Sequence, residues 1–133
     1  MRTDAPRIWE ESGNGGMTDA QRRMLNSVCG DLARCIVWHD GWRLSKDDWR
    51  HFFCGLASGL RIMRGWDFHD GDPPGFVMLG RSSLELTRTQ ATTAIHLAVQ
   101  FGDDPSDQGI HQPAAQWCDK TLLGLGFNPA ELK

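Results

Sequence analysis

The chain has 133 residues, of which 40% are apolar and 23% charged, as is typical of one globular domain with its own core. It contains no apolar run near the roughly 18 residues of a membrane-spanning helix and no N-terminal targeting pattern, so we expect a cytoplasmic protein without membrane association. The four cysteines form neither a zinc-like spacing nor a disulfide framework, which favours reduced thiols.

The net charge of −3 is divided unevenly along the chain. Residues 1–19 carry −2 and residues 91–133 carry −3, whereas residues 20–90 carry +2. Eleven of the fourteen cations are arginines, which make bidentate contacts with phosphates and stack on bases. The distribution indicates a nucleic-acid partner, although a solvated surface of mixed charge explains it about as well.

Residues 1–16 have no hydrophobic period and end in a glycine-rich break. We predict a flexible N-terminal arm over 1–16, in which Ile8 and Trp9 offer a docking point, and a single domain over 17–133.

Three capping boxes predict where helices begin, because a Ser or Thr cap is followed three residues later by a side chain that reaches back to it. The pairs are Thr18 with Gln21, Ser45 with Asp48, and Thr87 with Gln90. Apolar residues at helical spacing follow each box. A fourth helix is predicted to have Pro113 in its first turn and to hold Trp117, Leu122 and Leu123, after which the chain frays.

Two short apolar runs, "LRIM" at 60–63 and "FVMLG" at 76–80, predict strands that pair across the polar loop between them. The predicted fold class is therefore α+β and mostly α, with about four helices around a core and a short two-stranded β element.

The segment 35–53 is rich in aromatic residues and raises the question of core or binding surface. Trp49, Phe52 and Phe53 recur at helical spacing, as does Leu56 after them, so we assign them to the core. No helical period buries Trp42, which lies in the connector "WHDGW" at 38–42. Trp42 is either a base-stacking side chain or a lid over the core.

The sequence contains no phosphate-binding loop, dinucleotide fingerprint or nucleophile elbow. His69, Asp70 and Asp72 share one short loop and are interpreted as a solvated turn, with a metal-dependent nuclease as the alternative. His51 and Cys54 lie three residues apart on a predicted helix, a spacing that is common by chance. We therefore predict no catalytic residues, no metal and no cofactor, which leaves a binding protein.

The ordered positions of Trp, His and Gly resemble the phage NinB family over residues 18–110. The matching parts are Gln21, Arg23, "GD" at 30–31, the "WHxxW" connector, Trp49, the strand and turn "GFVMLGRSS" at 75–83, and "FG" at 101–102. The chain departs from the family in a shortened N-terminal region, and in Asn26, where an aromatic residue is associated with the exposed face of the first helix.

The resemblance implies a non-enzymatic recombination mediator with a mixed α/β fold and a ring-shaped homodimer. Its expected partners are single-stranded DNA and the host single-strand-binding protein, and its expected role is to assist recombinase loading. The alternative is a protein-interaction adaptor that contacts replication or recombination proteins and binds little DNA.

These patterns predict two phosphate-binding sites, here called seats, and one base-stacking residue. The first seat is the first turn of the first helix, where backbone amides favour anions, together with an arginine further along its polar side. The second is formed by the arginines that flank the "RSS" turn. The candidate nucleic-acid-binding residues are Gln21, Arg22, Arg23, Arg34, Trp42, Arg81 and Arg88.

Overall fold

The structure is a computed structural model that describes residues 7–59, 61–64, 76–79 and 86–131. The described part is mostly helical and contains four α-helices, as predicted from the sequence. These are α1 (Asp19–Cys35), α2 (Lys46–Ser58), α3 (Arg88–Asp103) and α4 (Asp119–Gly124). Short 3-10 turns lie at His39–Gly41, Pro105–Gln108 and Pro129–Glu131. None of the helices within the described ranges is long and apolar enough to cross a membrane.

The strands are β1 (Arg61–Arg64) and β2 (Phe76–Leu79), which pair antiparallel with Arg61 opposite Leu79 and Arg64 opposite Phe76. The loop between them, with His69, Asp70 and Asp72, lies outside the described residues.

All three capping boxes form at the predicted positions. In the first, the Thr18 hydroxyl accepts from the backbone N–H of Gln21 at 3.1 Å, and the Gln21 side chain accepts from the backbone N–H of Thr18 at 3.0 Å. The second and third boxes have the same reciprocal pair of bonds. Each box satisfies two amides that a helix start would otherwise leave without a partner, so these caps locate α1, α2 and α3.

Helices α1, α2 and α3 pack against one another around the core. The core takes one apolar stripe from each helix, as the spacing predicts. The helices contribute Leu25, Val28 and Leu32 of α1, Trp49 and Phe53 of α2, and Ala94, Ile95, Ala98 and Phe101 of α3. Leu56 does not follow the prediction, because it lies on the exposed side of α2.

The predicted fourth helix begins later than expected, at Asp119, and Pro113 precedes it outside any helix. The N–H of Ala115 donates to the carbonyl of Gly102 on α3 at 2.8 Å, which ties the segment before α4 to the end of α3. The Trp117 ring fills the space that a Cβ at Gly102 would occupy. Contact with the end of α3 therefore outweighs the preference of Pro113 for a first helical turn.

The chain just beyond α4 packs on the domain instead of fraying, as far as Phe127. Leu125 is buried, and the N–H of Phe127 donates to the carbonyl of Leu122 at 2.9 Å. Leu123 points the other way and is 62% exposed. The prediction of a frayed end is wrong for these residues because their apolar side chains have a surface to cover.

A buried polar cluster links α1 to α4. The Asp31 carboxylate accepts from the Thr121 hydroxyl at 2.7 Å and from the backbone N–H of Cys118 at 3.1 Å. Ser27 shares hydrogen bonds with Thr121 and with the Cys118 thiol. Burial raises the pKa of Cys118, but hydrogen bonds from Ser27 and Thr121 outweigh it and bring the pKa below its ordinary value. The cluster fixes the short helix α4 on α1.

The segment 7–16 is part of the domain and does not form the flexible arm that was predicted. Trp9 is 1% exposed, and its indole N–H donates to the carbonyl of Gly124 at 2.7 Å. Gly16 bridges to Thr87 at the start of α3. The docking predicted for Trp9 is thus confirmed, whereas Ile8 is 74% exposed. A large apolar ring with a bonded N–H holds the segment in place.

Candidate nucleic-acid interface

Gln21 cannot contact DNA in this fold, contrary to the prediction. Its side chain is 0% exposed. The two N–H groups of the amide are shared among three acceptors, the carbonyls of Trp9 and Arg88 at 3.1 and 3.0 Å and the hydroxyl of Thr92 at 3.0 Å. Gln21 therefore joins α1 to α3 and to the N-terminal segment, because a buried amide must use its donors and acceptor inside the protein.

The two arginines that follow Gln21 are both exposed. The guanidinium of Arg22 forms an ion pair with the Asp19 carboxylate at 2.8 Å. Arg23 makes no ion pair within the described part of the chain and faces a groove described below. Among the arginines of the first predicted phosphate seat, Arg23 therefore has the guanidinium that is most available to an anion.

Arg34 and Arg88 are engaged with the protein itself. Arg34 donates to the Asp31 carboxylate at 3.2 Å and to the carbonyl of Gln116 at 2.7 Å, so it ties the segment before α4 to α1. Arg88 donates to the carbonyl of Gly16 at 3.2 Å. Both side chains remain partly exposed, but neither guanidinium lies free on the surface. Arg81, the partner of Arg88 in the second predicted seat, lies outside the described residues.

Trp42 is exposed and lies on an anchored turn. Its side chain is 65% exposed, and its carbonyl accepts from the N–H of Trp38 at 2.8 Å. The turn between them has left-handed backbone at Asp40 and Gly41, with φ of 62° and 78°. Asp is one of the few residues other than glycine that tolerates this conformation. The sequence-based interpretation of Trp42 as a lid over the core does not fit this exposure.

The anchor of this turn is Trp38, whose ring packs into the aromatic core. Its ring centroid lies 5.6 Å from that of Trp49, 5.3 Å from that of Phe52 and 5.8 Å from that of Phe101. The segment 35–53 is therefore core and surface at once: Trp38, Trp49 and Phe53 fix the turn, and the turn presents Trp42 outward.

A groove of about 810 Å³ lies between α1, α4, the N-terminal segment and the first turn of α2. Four cations line it: Arg7, Arg23, Lys46 and Lys120. No acidic side chain is among the described residues that line it. Its apolar lining includes Ile8, Met24, Leu123 and Phe127. The groove thus combines an apolar floor with a positive rim.

Lys46 and Lys120 were not among the residues predicted from the sequence. Each is the one cation in the first turn of its helix. The packing of α2 and α4 against α1 places both lysines around the same groove as Arg23. The stem of Lys46 passes 3.7 Å from where a Cβ on Gly30 would lie. This is an ordinary van der Waals distance, so Gly30 is no signal for the lysine, and no pattern in the sequence marks Lys46 or Lys120.

Asn26 lies on the same face of α1 and also lines the groove. Its side-chain oxygen is buried and accepts no hydrogen bond from the described residues. A buried acceptor without a donor costs about 1–3 kcal/mol, so a ligand that brings a donor is favoured at this point.

Comparison with known proteins identifies relatives of this fold. No curated protein matches the sequence. A solved structure described as "Structural Genomics, NinB" is similar with a TM-score of 0.52 and 23% identity, over 86% of this chain and 70% of that chain. That likeness concerns the fold. The family described as "NinB protein" matches residues 15–111, which is well over half of the sequence. The chain therefore belongs to the NinB family.

Proposed function

We propose that the chain is a phage or prophage recombination mediator that binds single-stranded DNA and assists recombinase loading without catalytic activity of its own. NinB family membership supports a recombination-related role. The host single-strand-binding protein is the proposed protein partner, and the cytoplasm the proposed compartment.

Exposed Trp42 is the observation that carries this proposal. Proteins that bind single strands without sequence preference stack bases on aromatic side chains, each worth about 1–3 kcal/mol. An exposed indole is most useful for stacking when its backbone is fixed before binding, since less entropy is lost. The Trp38 anchor supplies this rigidity.

Cations close to Trp42 in the chain would neutralise phosphates. Arg43 follows it directly and Lys46 lies four residues on, so their Cα atoms are at most roughly 14 Å from that of Trp42. Both are exposed and form no ion pair within the described ranges. Such contacts release counterions, so the affinity should fall steeply with salt.

The test is fluorescence anisotropy with labelled oligo(dT) at about 50 and 200 mM salt. We expect Trp42→Ala to weaken binding roughly 5- to 150-fold, the range of one lost stacking contact, with the salt slope unchanged. Trp42→Phe should retain most of the affinity. Leu56→Ala is the matched control, because it also removes a large exposed apolar side chain.

Two results would contradict the proposal. If Trp42→Ala binds oligo(dT) as tightly as the unchanged protein, Trp42 is not a stacking residue. If the protein binds no single strand even at low salt, the adaptor function is the better account.

We further propose a homodimer, since six tryptophans are more than one small core covers. Sedimentation equilibrium at tens of micromolar should give twice the chain mass of 14.9 kDa. A single species of chain mass would show the dimer to be wrong.

A further inference from the structure

We infer that the groove between α1 and α4 binds a partner protein through an acidic peptide segment that carries a large apolar side chain. This inference does not depend on DNA stacking at Trp42, which does not line the groove; of the groove's cations, Lys46 is shared with the proposed phosphate contacts. Its evidence is the apolar floor, the positive rim and the unpaired oxygen of Asn26.

Exposed apolar side chains line the floor of the groove. Leu123 is 62% and Ile8 74% exposed, and Met24 and Phe127 lie behind them as less exposed lining. The volume of about 810 Å³ is within the range of sites that enclose a ligand. Exposed apolar side chains gathered in a groove of this size favour a ligand with its own apolar side chain.

The rim selects a negative ligand. Arg23, Lys46 and Lys120 form no ion pair in the described parts of the chain, and no acidic side chain there lines the groove. The fourth cation, Arg7, is already paired with Glu10 at 2.7 Å. Three unpaired cations around a low-dielectric floor attract anions and speed their association.

Asn26 favours a peptide as the ligand. Its buried side-chain oxygen needs a donor, and a peptide brings a backbone N–H at nearly every residue. The sugar–phosphate backbone of DNA offers only acceptors at neutral pH. The amide of Asn26 is thus suited to bind one backbone unit while the rim holds the flanking carboxylates.

The groove is poorly suited to stacked bases. Trp9 lines it but is buried, with its N–H bonded to the carbonyl of Gly124. Phe127 is only partly exposed, and the most exposed floor residues are aliphatic. Base stacking needs an open aromatic face, and the described part of the chain offers that at Trp42 instead.

The test uses a labelled synthetic octapeptide, Asp-Asp-Leu-Asp-Asp-Phe-Asp-Asp, titrated with the full chain in an anisotropy assay. Two companion peptides separate the contributions: one has every apolar residue replaced by aspartate, and the other has every aspartate replaced by asparagine. We expect both to bind at least about tenfold more weakly than the mixed peptide.

Two groove variants and one matched control test the location. Leu123→Asp puts a carboxylate on the floor, and Lys120→Glu reverses a rim charge; both side chains are exposed, so the fold should persist. We expect each to weaken peptide binding at least about tenfold. Arg22→Glu makes the same charge change outside the groove and should alter it less than about twofold. Asn26→Ala should weaken it about fivefold or more, as loss of one buried bond predicts.

Four outcomes would overturn the inference. Equal loss in Arg22→Glu would show long-range charge attraction without a site. Equal binding of the all-aspartate peptide would show that the floor is unused. If Leu123→Asp abolishes oligo(dT) binding and peptide binding is absent, the groove is a DNA site. If Leu123→Asp converts a dimer into monomers without any peptide binding, a second copy of the chain covers the groove. Because Trp42→Ala should leave peptide binding unchanged, failure here and failure of DNA binding are separable.

Discussion

Trp9 and Trp42 both come from stretches without a helical period, yet one is 1% and the other 65% exposed. Trp9 lies against α4 with its N–H bonded to Gly124, and its carbonyl accepts from Gln21 and Thr92. Trp42 has backbone bonds within its own turn, and its ring lies outward. This difference shows that the absence of a helical hydrophobic period does not predict whether a side chain is exposed. A side chain is buried when a distant part of the chain offers it a surface and hydrogen-bond partners.

The largest expected effect is on Trp9. Trp9→Ala should lower the free energy of unfolding by about 3–5 kcal/mol, because it opens a cavity and leaves the Gly124 carbonyl without its donor. Urea unfolding followed by circular dichroism measures this. Ile8→Ala is the control, and its effect should stay within about 0.5 kcal/mol because Ile8 is exposed. Equal effects of the two changes would mean that the N-terminal segment does not hold the domain together.

Substitutions of Gln21 test the hydrogen bonds that join α1 to α3 and to the N-terminal segment. Gln21→Ala should cost about 2–4 kcal/mol, since several buried groups lose their partners at once. Gln21→Glu should be destabilising as well, because a carboxylate cannot donate to the carbonyls of Trp9 and Arg88. The neighbouring change Arg22→Ala should be nearly neutral, as for most exposed ion pairs. If Gln21→Ala is also nearly neutral, its hydrogen bonds do not stabilise the fold.

Stability at alkaline pH should fall because of two buried thiols. Burial raises the pKa of Cys29 to about 12 and that of Cys54 to about 11, against an ordinary value of 9.0. Between pH 9 and 11 the unfolded chain has therefore released protons that the folded chain still holds, and the free energy of unfolding decreases as pH rises. Cys118 contributes in the opposite direction, because its pKa is lowered.

Urea midpoints at pH 7.5 and pH 10 check this expectation. Replacing Cys29 by Ala should reduce the difference between the two midpoints, even if it lowers both. The chain has no tyrosine, so no phenol contributes in this range. An unchanged difference would mean that Cys29 ionises equally in both states.

The smallest expected effect on stability is at Trp42. Trp42→Ala should change the free energy of unfolding by less than about 0.5 kcal/mol, because the side chain is exposed and its turn is held by backbone bonds. A loss of several kcal/mol in the same urea assay would mean that Trp42 belongs with Trp9, as a lid over the core.

The sequence predicts those parts of the fold whose causes are local. The capping boxes at Thr18, Ser45 and Thr87 fix three helix starts, because both members of each pair lie within one turn. The late start of α4 is not predictable in this way, since it depends on contact between Trp117 and Gly102 across the fold.

The residues of the candidate site also divide into those whose placement depends on local sequence and those whose placement depends on tertiary packing. The turn that carries Trp42 is held by local backbone bonds, but the sequence left open whether its ring is exposed or covers the core, and the structure shows it exposed. Gln21 looks exposed in the sequence because it opens a helix, but its partners Arg88 and Thr92 lie some seventy residues away. The rim formed by Lys46 and Lys120 depends equally on tertiary packing, so no spacing in the sequence reveals it.

Quenching of tryptophan fluorescence by oligo(dT) tests the central claim, that Trp42 stacks on bases, most directly. A base stacked on an indole quenches its emission, and Trp42→Phe removes this one indole while keeping an aromatic face. We predict that oligo(dT) quenches the unchanged protein, that the quenching is lost in Trp42→Phe, and that the variant still binds the oligonucleotide by anisotropy. Quenching of the same size in Trp42→Phe would contradict the account, because the base would then stack on a different tryptophan.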